Sequence, residues 1–152
     1  MFNIFKKKEN HVLYSMANGK SVAIEEVPDE VFATKMMGDG IAVIPTEGKI
    51  YAPCDGVVSM VMDNTKHAVG IVSDTGLEML IHVGLDTVEL MGEGFTTHVS
   101  AKDKIEKGDL LISYDHNDFI SKGINDITML IIVDPKDYQI VSYNTKQNVH
   151  FV

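Results

Sequence analysis

The sequence has a single cysteine, Cys54, so no disulfide bond can form within the chain. It has no apolar run of the length that a transmembrane helix needs. It also has no excess of basic residues, since 13 Lys and Arg stand against 22 Asp and Glu, giving a formal net charge of −9. Proteins that bind nucleic acids present a basic face, so this balance excludes nucleic acid as the expected partner. These absences fit a protein of the reducing cytoplasm.

The first ten residues, "MFNIFKKKEN", contain neither a long apolar core nor a small-residue cleavage site. We therefore expect no secretory signal. The segment mixes three apolar residues with three lysines, and we predict that residues 1–12 form a flexible tail. Hydrophobic residues make up 45% of the chain, which is enough for a packed core. Residues 13–152 are predicted to form one domain.

Short apolar runs alternate with turn signals such as "PTEG", "PCDG" and "SDTG" along most of the chain. Many short strands separated by Gly, Pro and Asp are typical of a β-sandwich or barrel. The predicted fold is therefore all-β, a compact antiparallel sandwich or barrel. The predicted strands are Ile41–Ile44, Lys49–Ala52, Val57–Val61, Ala68–Val72, Glu78–Leu85, Leu110–Tyr114, Met129–Val133 and Gln139–Tyr143.

Helical pattern is scarce and is confined to two segments. "PDEVFATKM", which follows Val27, predicts one or two helical turns with acidic residues at its start, where the helix dipole favours them. "HNDFISKG" predicts another short helix, capped by Asn117 and ended by Gly123.

A histidine, His82, interrupts the apolar strand "LIHVGL", and a second histidine lies across a predicted hairpin. If the turn in "SDTG" centres on Asp74 and Thr75, His67 lies opposite His82, with Cα atoms roughly 4.5–5.5 Å apart. A turn centred one residue later would leave the two histidines as diagonal neighbours on the same face. Only a bulge or a loop of odd length would separate them. Hairpin parity thus predicts two imidazoles in one site.

Two adjacent imidazoles indicate either a metal site or a nucleophile with a helper. A catalytic zinc needs three protein ligands and an open position, and no third ligand stands at a suitable spacing. A site completed by a partner protein stays open as an alternative. Neutral imidazole is also a good nucleophile near pH 7. Leu80 and Val88 would keep His82 uncharged by desolvation, and Gly84 would let a bulky group approach the strand. His67 and a hydroxyl such as Thr65 would donate to phosphoryl oxygens.

The segment "GLEMLIHVGLDTV", residues 76–88, resembles the active-site signature of the glucose-type enzyme IIA family of the bacterial phosphoenolpyruvate:sugar phosphotransferase system. The likeness continues in "TKHAVGI", "GDGIAVIPTEGKIYAPCDGVV" and "VPDEVFATKM", and covers roughly Ser21 to Val133. It implies a compact antiparallel β-sandwich of the duplicated-hybrid-motif type. It also implies a phosphotransferase component that accepts a phosphoryl group from the carrier protein HPr and passes it to an enzyme IIB domain of a sugar permease.

The resemblance also implies roles for individual residues. His82 resembles the histidine that is phosphorylated on Nε2, His67 its transfer partner and Thr65 the hydroxyl that orients His67. Asp29 and Asp86 resemble the acids that flank the site. The remaining set resembles the shallow apolar patch that receives both partners, and comprises Phe32, Met36, Met37, Leu80 and Val88.

No cofactor is expected, apart from an adventitious zinc ion or one shared by His67, His82 and a partner. The expected location is the cytoplasm, with membrane contact only through the permease. His11, His98, His116 and His150 are expected to be solvated surface residues. Two alternative functions remain. One is a regulatory module that signals sugar status to target proteins through its phosphorylation state. The other is a zinc peptidase of the lysostaphin type, which would need a His-x-His pair and an acid that the sequence lacks.

Overall fold

The computed structural model describes residues 11–134, 140–143 and 148–151. Within these residues lie thirteen strands, two short α-helices and two 3-10 helices. The strands are β1 (His11–Tyr14), β2 (Gly19–Ala23), β3 (Gly40–Pro45), β4 (Lys49–Tyr51), β5 (Gly56–Val61), β6 (Ala68–Ser73), β7 (Glu78–Val83), β8 (Phe95–Thr97), β9 (Lys104–Ile105), β10 (Leu110–Tyr114), β11 (Thr128–Asp134), β12 (Ile140–Tyr143) and β13 (Asn148–Phe151). The helices are α1 (Glu30–Ala33) and α2 (His116–Ser121), with 3-10 helices at Ile24–Glu26 and Thr87–Leu90.

The strands form three antiparallel sheets. The largest has seven strands in the order β2-β3-β11-β7-β6-β5-β9, and the other two have the orders β4-β10-β8 and β1-β13-β12. Strand β7 is central in the large sheet, because it pairs with β6 on one side and with β11 on the other. The predicted antiparallel β-sandwich is confirmed.

All eight predicted strands are present, with ends that shift by one or two residues; Gln139, the first residue of the last, lies outside the described residues. Strands β1, β2, β8, β9 and β13 were not predicted from the sequence. They are short or polar, and β9 has only two residues, so hydrophobic alternation has too little length to reveal them. The first ten residues of the predicted tail lie outside the described residues, whereas His11 and Val12 belong to β1.

Both predicted helical segments contain a helix, but one predicted cap is wrong. The side chain of Asp29 caps α1 by accepting from the backbone N–H of Val31. Helix α2 is capped by Asp115, which accepts from the N–H of Asp118, and Asn117 lies inside the first turn. The cap lies two residues before the predicted cap, Asn117, because Asp115 is the residue whose backbone is still extended.

The two faces of the seven-stranded sheet bury different cores. In β7, Met79, Ile81 and Val83 are buried on the inner face. They join the main core, which fills the space to the β4-β10-β8 sheet through Ile50, Phe95, Leu111 and Ile112. Burying a side chain of the size of Ile81 stabilises the fold by roughly 1.5–3 kcal/mol. On the outer face a smaller core forms where the segment 24–32 covers the sheet, and it comprises Val22, Ile24, Val27, Phe32, Ala42, Ile127, Met129 and Ile131.

Glu78, Leu80 and His82 are partly buried and alternate with the inner residues of β7, so they share the outer face. The sheet therefore presents His82 at the margin of the smaller core. In the described residues no helix is long and apolar enough to cross a membrane.

Candidate active site

His82 lies on the outer face of the large sheet between two apolar neighbours. Its partner in β6 is Ala68 and its partner in β11 is Met129, and both are fully buried. An imidazole placed on this row is therefore surrounded by hydrocarbon on both sides, and the strand pairing alone places it in a poorly solvated position.

The predicted register of the β6–β7 hairpin is wrong by one residue. His82 is opposite Ala68, and His67 precedes β6. The loop has an odd length of three residues, because the backbone N–H of Leu77 bonds to the Ser73 side chain and the N–H of Ser73 to the Leu77 carbonyl. Gly76, with a φ of 91°, supplies the left-handed residue that such a loop uses.

The two histidine side chains nevertheless meet. Their ring centroids are 4.7 Å apart and the rings are nearly perpendicular, at 86°. Regular alternation does not extend to His67, because Lys66 immediately before it has a left-handed φ of 58°. The main chain stays attached to β7 there, since the Val83 N–H donates to the His67 carbonyl at 2.8 Å. The irregular backbone, and not hairpin parity, brings the rings together.

Thr65 and Phe32 hold the two rings in place. The Nδ1 atom of His67 lies 2.9 Å from the Thr65 hydroxyl. The Phe32 ring is 4.9 Å from the His82 ring, centroid to centroid, and tilted by 56°. The His67 residue is 4% exposed, whereas His82 is only partly buried. The pair thus has one deeply set ring and one ring that reaches the surface.

The two nitrogens of His82 differ in their access to solvent. Among the described residues, His82 Nδ1 is the single buried side-chain nitrogen or oxygen without a hydrogen-bond partner. Nε2 of His82 makes no hydrogen bond either. Because Nδ1 is the one buried atom without a partner, Nε2 must be exposed to solvent. The same reasoning applies to Nε2 of His67, whose other nitrogen faces Thr65. Both Nε2 atoms are thus free to contact an incoming group.

Burial lowers the pKa of both histidines. The pKa of His82 is lowered to about 4, chiefly by desolvation and also by the neighbouring His67. The backbone of Gly84 and the charge of Asp29 act in the opposite direction. The Gly84 effect is that of a carbonyl near a ring N–H, although no hydrogen bond of regular geometry reaches Nδ1. Desolvation also lowers the pKa of His67. Both rings are therefore neutral near pH 7.

Gly84 has a structural role within the chain. Its φ is 82°, and a Cβ atom there would collide with the Thr87 side chain and would lie 3.1 Å from the Asn125 carbonyl. The protein itself therefore requires glycine here, and the approach of a bulky group at Gly84 stays a prediction. Thr87 in turn donates to the Val83 carbonyl at 2.5 Å, which anchors the turn that follows His82.

The two predicted flanking acids lie in different surroundings. Asp29, the cap of α1, is close enough to His82 for its charge to act on the ring. Asp86 is exposed, with a left-handed φ of 59°, and lines a cavity of about 470 Å³ whose wall is both polar and apolar, with Thr87, Glu89 and Leu90 among its residues.

The predicted apolar patch is only partly exposed. Met36, Met37 and Val88 are exposed to 76%, 41% and 48%, whereas Phe32 is only 5% exposed and belongs to the smaller core. The expectation that Phe32 lies in an exposed cluster is wrong, because the 3-10 helix and α1 press it onto the sheet beside His82. Leu80 is partly buried against the same core.

An apolar groove of about 280 Å³ adjoins this patch and includes residues that the sequence did not reveal. It is lined by Met37, Ser59, Met60, Gly70, Glu78, Met79, Leu80 and Val133. Met60 pairs with Gly70, which pairs with Leu80, so the three lie in one row across the sheet. A bulge at Ser59 reverses the alternation of faces in β5, so a regular strand pattern would have placed Met60 on the opposite face.

A second histidine cluster was also missed. His116 Nδ1 lies 2.6 Å from the carboxylate of Asp126, which is 3% exposed and also accepts from the Tyr114 hydroxyl at 2.7 Å. His116 is therefore not a solvated surface residue as expected. His98 is exposed, and its Nε2 lies 2.8 Å from the Ser113 hydroxyl. The side chains of His11 and His150 are outside the described part of the structure.

No group of three or more His, Cys, Asp or Glu side chains in the described part of the chain could hold a metal ion. His67 and His82 would thus need ligands from elsewhere to bind zinc.

The chain was compared with known families and solved structures. Residues 11–138 match the family model described as "phosphoenolpyruvate-dependent sugar phosphotransferase system, EIIA 1". The chain belongs to this enzyme IIA family. It is similar to the glucose permease IIA from Mycoplasma capricolum, with 30% sequence identity, a TM-score of 0.85 and 99% of each chain covered.

Family membership establishes the general function. The protein is a phosphocarrier in sugar uptake and a phosphotransferase component. Members of this family exchange phosphoryl groups with HPr and an enzyme IIB domain. The zinc peptidase alternative has no observation in its favour.

Proposed function

We propose that His82 is the phosphoryl acceptor of this enzyme IIA, that phospho-HPr is the donor and that an enzyme IIB domain of a sugar permease is the acceptor. The observation that carries the proposal is the contact between two imidazoles whose Nε2 atoms are both accessible, in surroundings that keep both rings neutral. Glucose, named for the Mycoplasma capricolum protein, is the first sugar to test.

The nucleophile is Nε2 of His82. With the ring proton on Nδ1, toward the Gly84 backbone, the Nε2 atom carries the lone pair. A pKa of about 4 leaves this lone pair available at neutral pH. As the N–P bond to His82 forms, the N–P bond to the histidine of HPr breaks, and the donor ring regains its lone pair. Transfer to enzyme IIB repeats the exchange in the other direction.

His67 stabilises the phosphoryl group during both exchanges. If the Thr65 hydroxyl donates to Nδ1 of His67, the proton of His67 lies on Nε2. This N–H then donates to an oxygen of the phosphoryl group on His82, since the two rings are in contact with their centroids 4.7 Å apart. A loose phosphoryl-transfer transition state needs positioning and charge stabilisation of this kind and little else.

Partners dock on the apolar surface around the site, which we define as the docking surface: Met36, Met37, Leu80, Val88 and the groove. A net charge of −9 favours a basic partner, and charge steers the encounter while apolar contact holds the complex. Asp29 and Asp86 supply negative charge at the margin. The protein needs no cofactor for this reaction, and it acts in the cytoplasm, where HPr is available.

The direct test is incubation with phosphoenolpyruvate, enzyme I and HPr, using a phosphorus label. We expect one label per chain, on a bond that is labile in acid and stable in base. Omission of HPr is the control and should leave the chain unlabelled. A chain that stays unlabelled with all components present would contradict the proposal. Transfer from the labelled chain to a purified IIB domain tests the second half.

A further inference from the structure

Two methionines border the groove beside the proposed phosphorylation site, one in the loop between α1 and β3 and one in β5. Met37 and Met60 both line the groove, and they are 41% and 37% exposed. Leu80, between them on the same face, is two residues before His82. Gly70 widens the groove, since a Cβ there would lie 2.6 Å from the Ser59 hydroxyl and 3.0 Å from the Met60 side chain.

Both residues reach solvent, as do Met36, Met62 and Met91, whereas the core methionines are closed to peroxides. Thioether sulfur reacts with peroxides when the side chain reaches solvent. Met16, Met79 and Met129 are at most 2% exposed. Cys54, the only thiol, has its pKa raised to about 12 by burial, so it is a poor competitor for a peroxide.

We propose that Met37 and Met60 form an oxidation site through which peroxides reduce phosphoryl transfer to His82. In the reaction an oxygen atom of the peroxide bonds to sulfur as the O–O bond breaks. The sulfur loses two electrons, and the peroxide is reduced to water or an alcohol. The inference rests on the proposed function, because it requires partners to dock on this groove.

The physical effect is a change from apolar to polar at the centre of the docking surface. A sulfoxide oxygen is a strong acceptor that needs a hydrogen-bond donor when a partner excludes water. Among the residues that line the groove, Ser59 is the single side chain with a hydroxyl or amide donor. Two sulfoxides therefore cannot both be satisfied from the groove, and docking loses affinity while the histidine pair stays intact.

The test treats the full chain with graded hydrogen peroxide and maps sulfoxides by mass spectrometry. Met37 and Met60 should be oxidised at doses that leave Met16, Met79 and Met129 unchanged. At these doses the rate of label transfer from phospho-HPr, measured below saturation, should fall roughly tenfold. Methionine sulfoxide reductases A and B, which each reduce one epimer, should restore it.

For each variant, the rate of label transfer after peroxide treatment is compared with the rate of the same protein before treatment. All variants and their parent carry Met36→Leu, because Met36 is 76% exposed and belongs to the docking surface. In this background the double variant Met37→Leu, Met60→Leu should keep most of its rate, because leucine has no sulfur. Met91→Leu is the matched control, since Met91 is 69% exposed but does not line the groove, and it should lose rate like the original chain.

Two results would overturn the oxidation site. One is an unchanged rate in protein with sulfoxide at both positions. The other is an equal loss in the double variant. Failure of the unoxidised chain to accept any label would instead refute the proposed function, and the oxidation site with it.

Discussion

In the described part of the chain, the His67–His82 pair and the cluster of Tyr114, His116 and Asp126 place histidine in two different chemical settings. His82 and His67 face one another in apolar surroundings, and burial lowers the pKa of each ring. His116 instead contacts the buried carboxylate of Asp126, which also binds the Tyr114 hydroxyl. The first arrangement offers a neutral imidazole with an accessible nitrogen, as the proposed nucleophile requires. The second is a satisfied polar network of the kind that holds a fold together.

The clusters are connected through the backbone. The Gly84 N–H donates to the Ile127 carbonyl and the Leu85 N–H to the Asn125 carbonyl, both at 2.9 Å. Asp126 lies between these two acceptors. Its side chain thus anchors the loop that supports the turn after His82. The difference shows that the surroundings of a histidine, and not its presence at a strand or helix end, decide whether it is reactive or structural.

The largest effect should come from replacing one histidine in each cluster. His82→Ala should form no phosphoprotein, because the nucleophile is absent. His116→Gln keeps an amide that can donate to Asp126 and should accept label as the original chain does. Label incorporation from phospho-HPr measures both. Normal labelling of His82→Ala would assign the acceptor to another residue.

The next largest loss of phosphoryl transfer should come from a charge placed in the docking surface beside His67 and His82. Met37→Lys would bury an unpaired ammonium when a partner docks, which typically costs several kcal/mol. The rate of transfer against HPr concentration should therefore show much weaker binding. Met37 is 41% exposed, so the melting temperature should hardly change. A collapse in stability would show that Met37 is a core residue.

Replacing the second imidazole should separate acceptance from donation. In His67→Gln the amide can still bond to phosphoryl oxygens but cannot carry a proton or a positive charge at neutral pH. We expect acceptance from phospho-HPr to fall less than donation to the IIB domain. The two half-reactions are measured separately by rapid quench. An equal loss in both would refute this division of roles.

The second cluster should contribute stability and not reactivity. Asp126→Ala would leave the Tyr114 hydroxyl and His116 without their acceptor, at a cost of about 1–3 kcal/mol in the free energy of unfolding. Urea denaturation measures this loss. Asp103→Ala, which removes an exposed acceptor of the Ser100 N–H, is the matched control and should cost less. Equal losses would argue against a special role for the buried network.

The smallest expected effect concerns the protonation of His82, which we expect to stay unchanged above pH 5.5. An ordinary histidine, with a pKa of about 6.5, is largely protonated at pH 5.5, whereas His82 should stay neutral there, since its pKa is about 4. The chemical shift of its ring protons should therefore be flat from pH 8 to 5.5. Because the unfolded chain takes up this proton first, His82 should reduce stability as the pH falls from 6.5 to 4. A midpoint near 6.5 in the folded protein would contradict the buried environment.

Local pattern was sufficient for most of the fold. Eight strands followed from apolar runs bounded by Gly, Pro and Asp, because alternation and turn chemistry are encoded within a few residues. The missed strands β8 and β9, of three and two residues, are stabilised by pairing to β10 and β5, which a local pattern does not contain.

The candidate site was predicted less completely than the fold. Both histidines are evident from the sequence, but their predicted opposition requires a hairpin loop of even length, and the loop has three residues. The resemblance assigned Phe32 to the apolar patch, and only the packing of α1 shows that it is a core residue. Met60 and Asp126 were missed because a bulge and a contact between distant segments, respectively, place them.

The sequence by itself determined the class of the fold, five of the seven strands of its large sheet and the identity of the paired histidines. These properties follow from residue type and spacing along the chain. The tertiary structure alone decided that His67 turns toward His82 and that burial lowers the pKa of His82 to about 4. It alone decided that Met37 and Met60 share a groove. Each of these depends on register, irregular backbone and exclusion of water, which arise only when strands distant in sequence pack against one another.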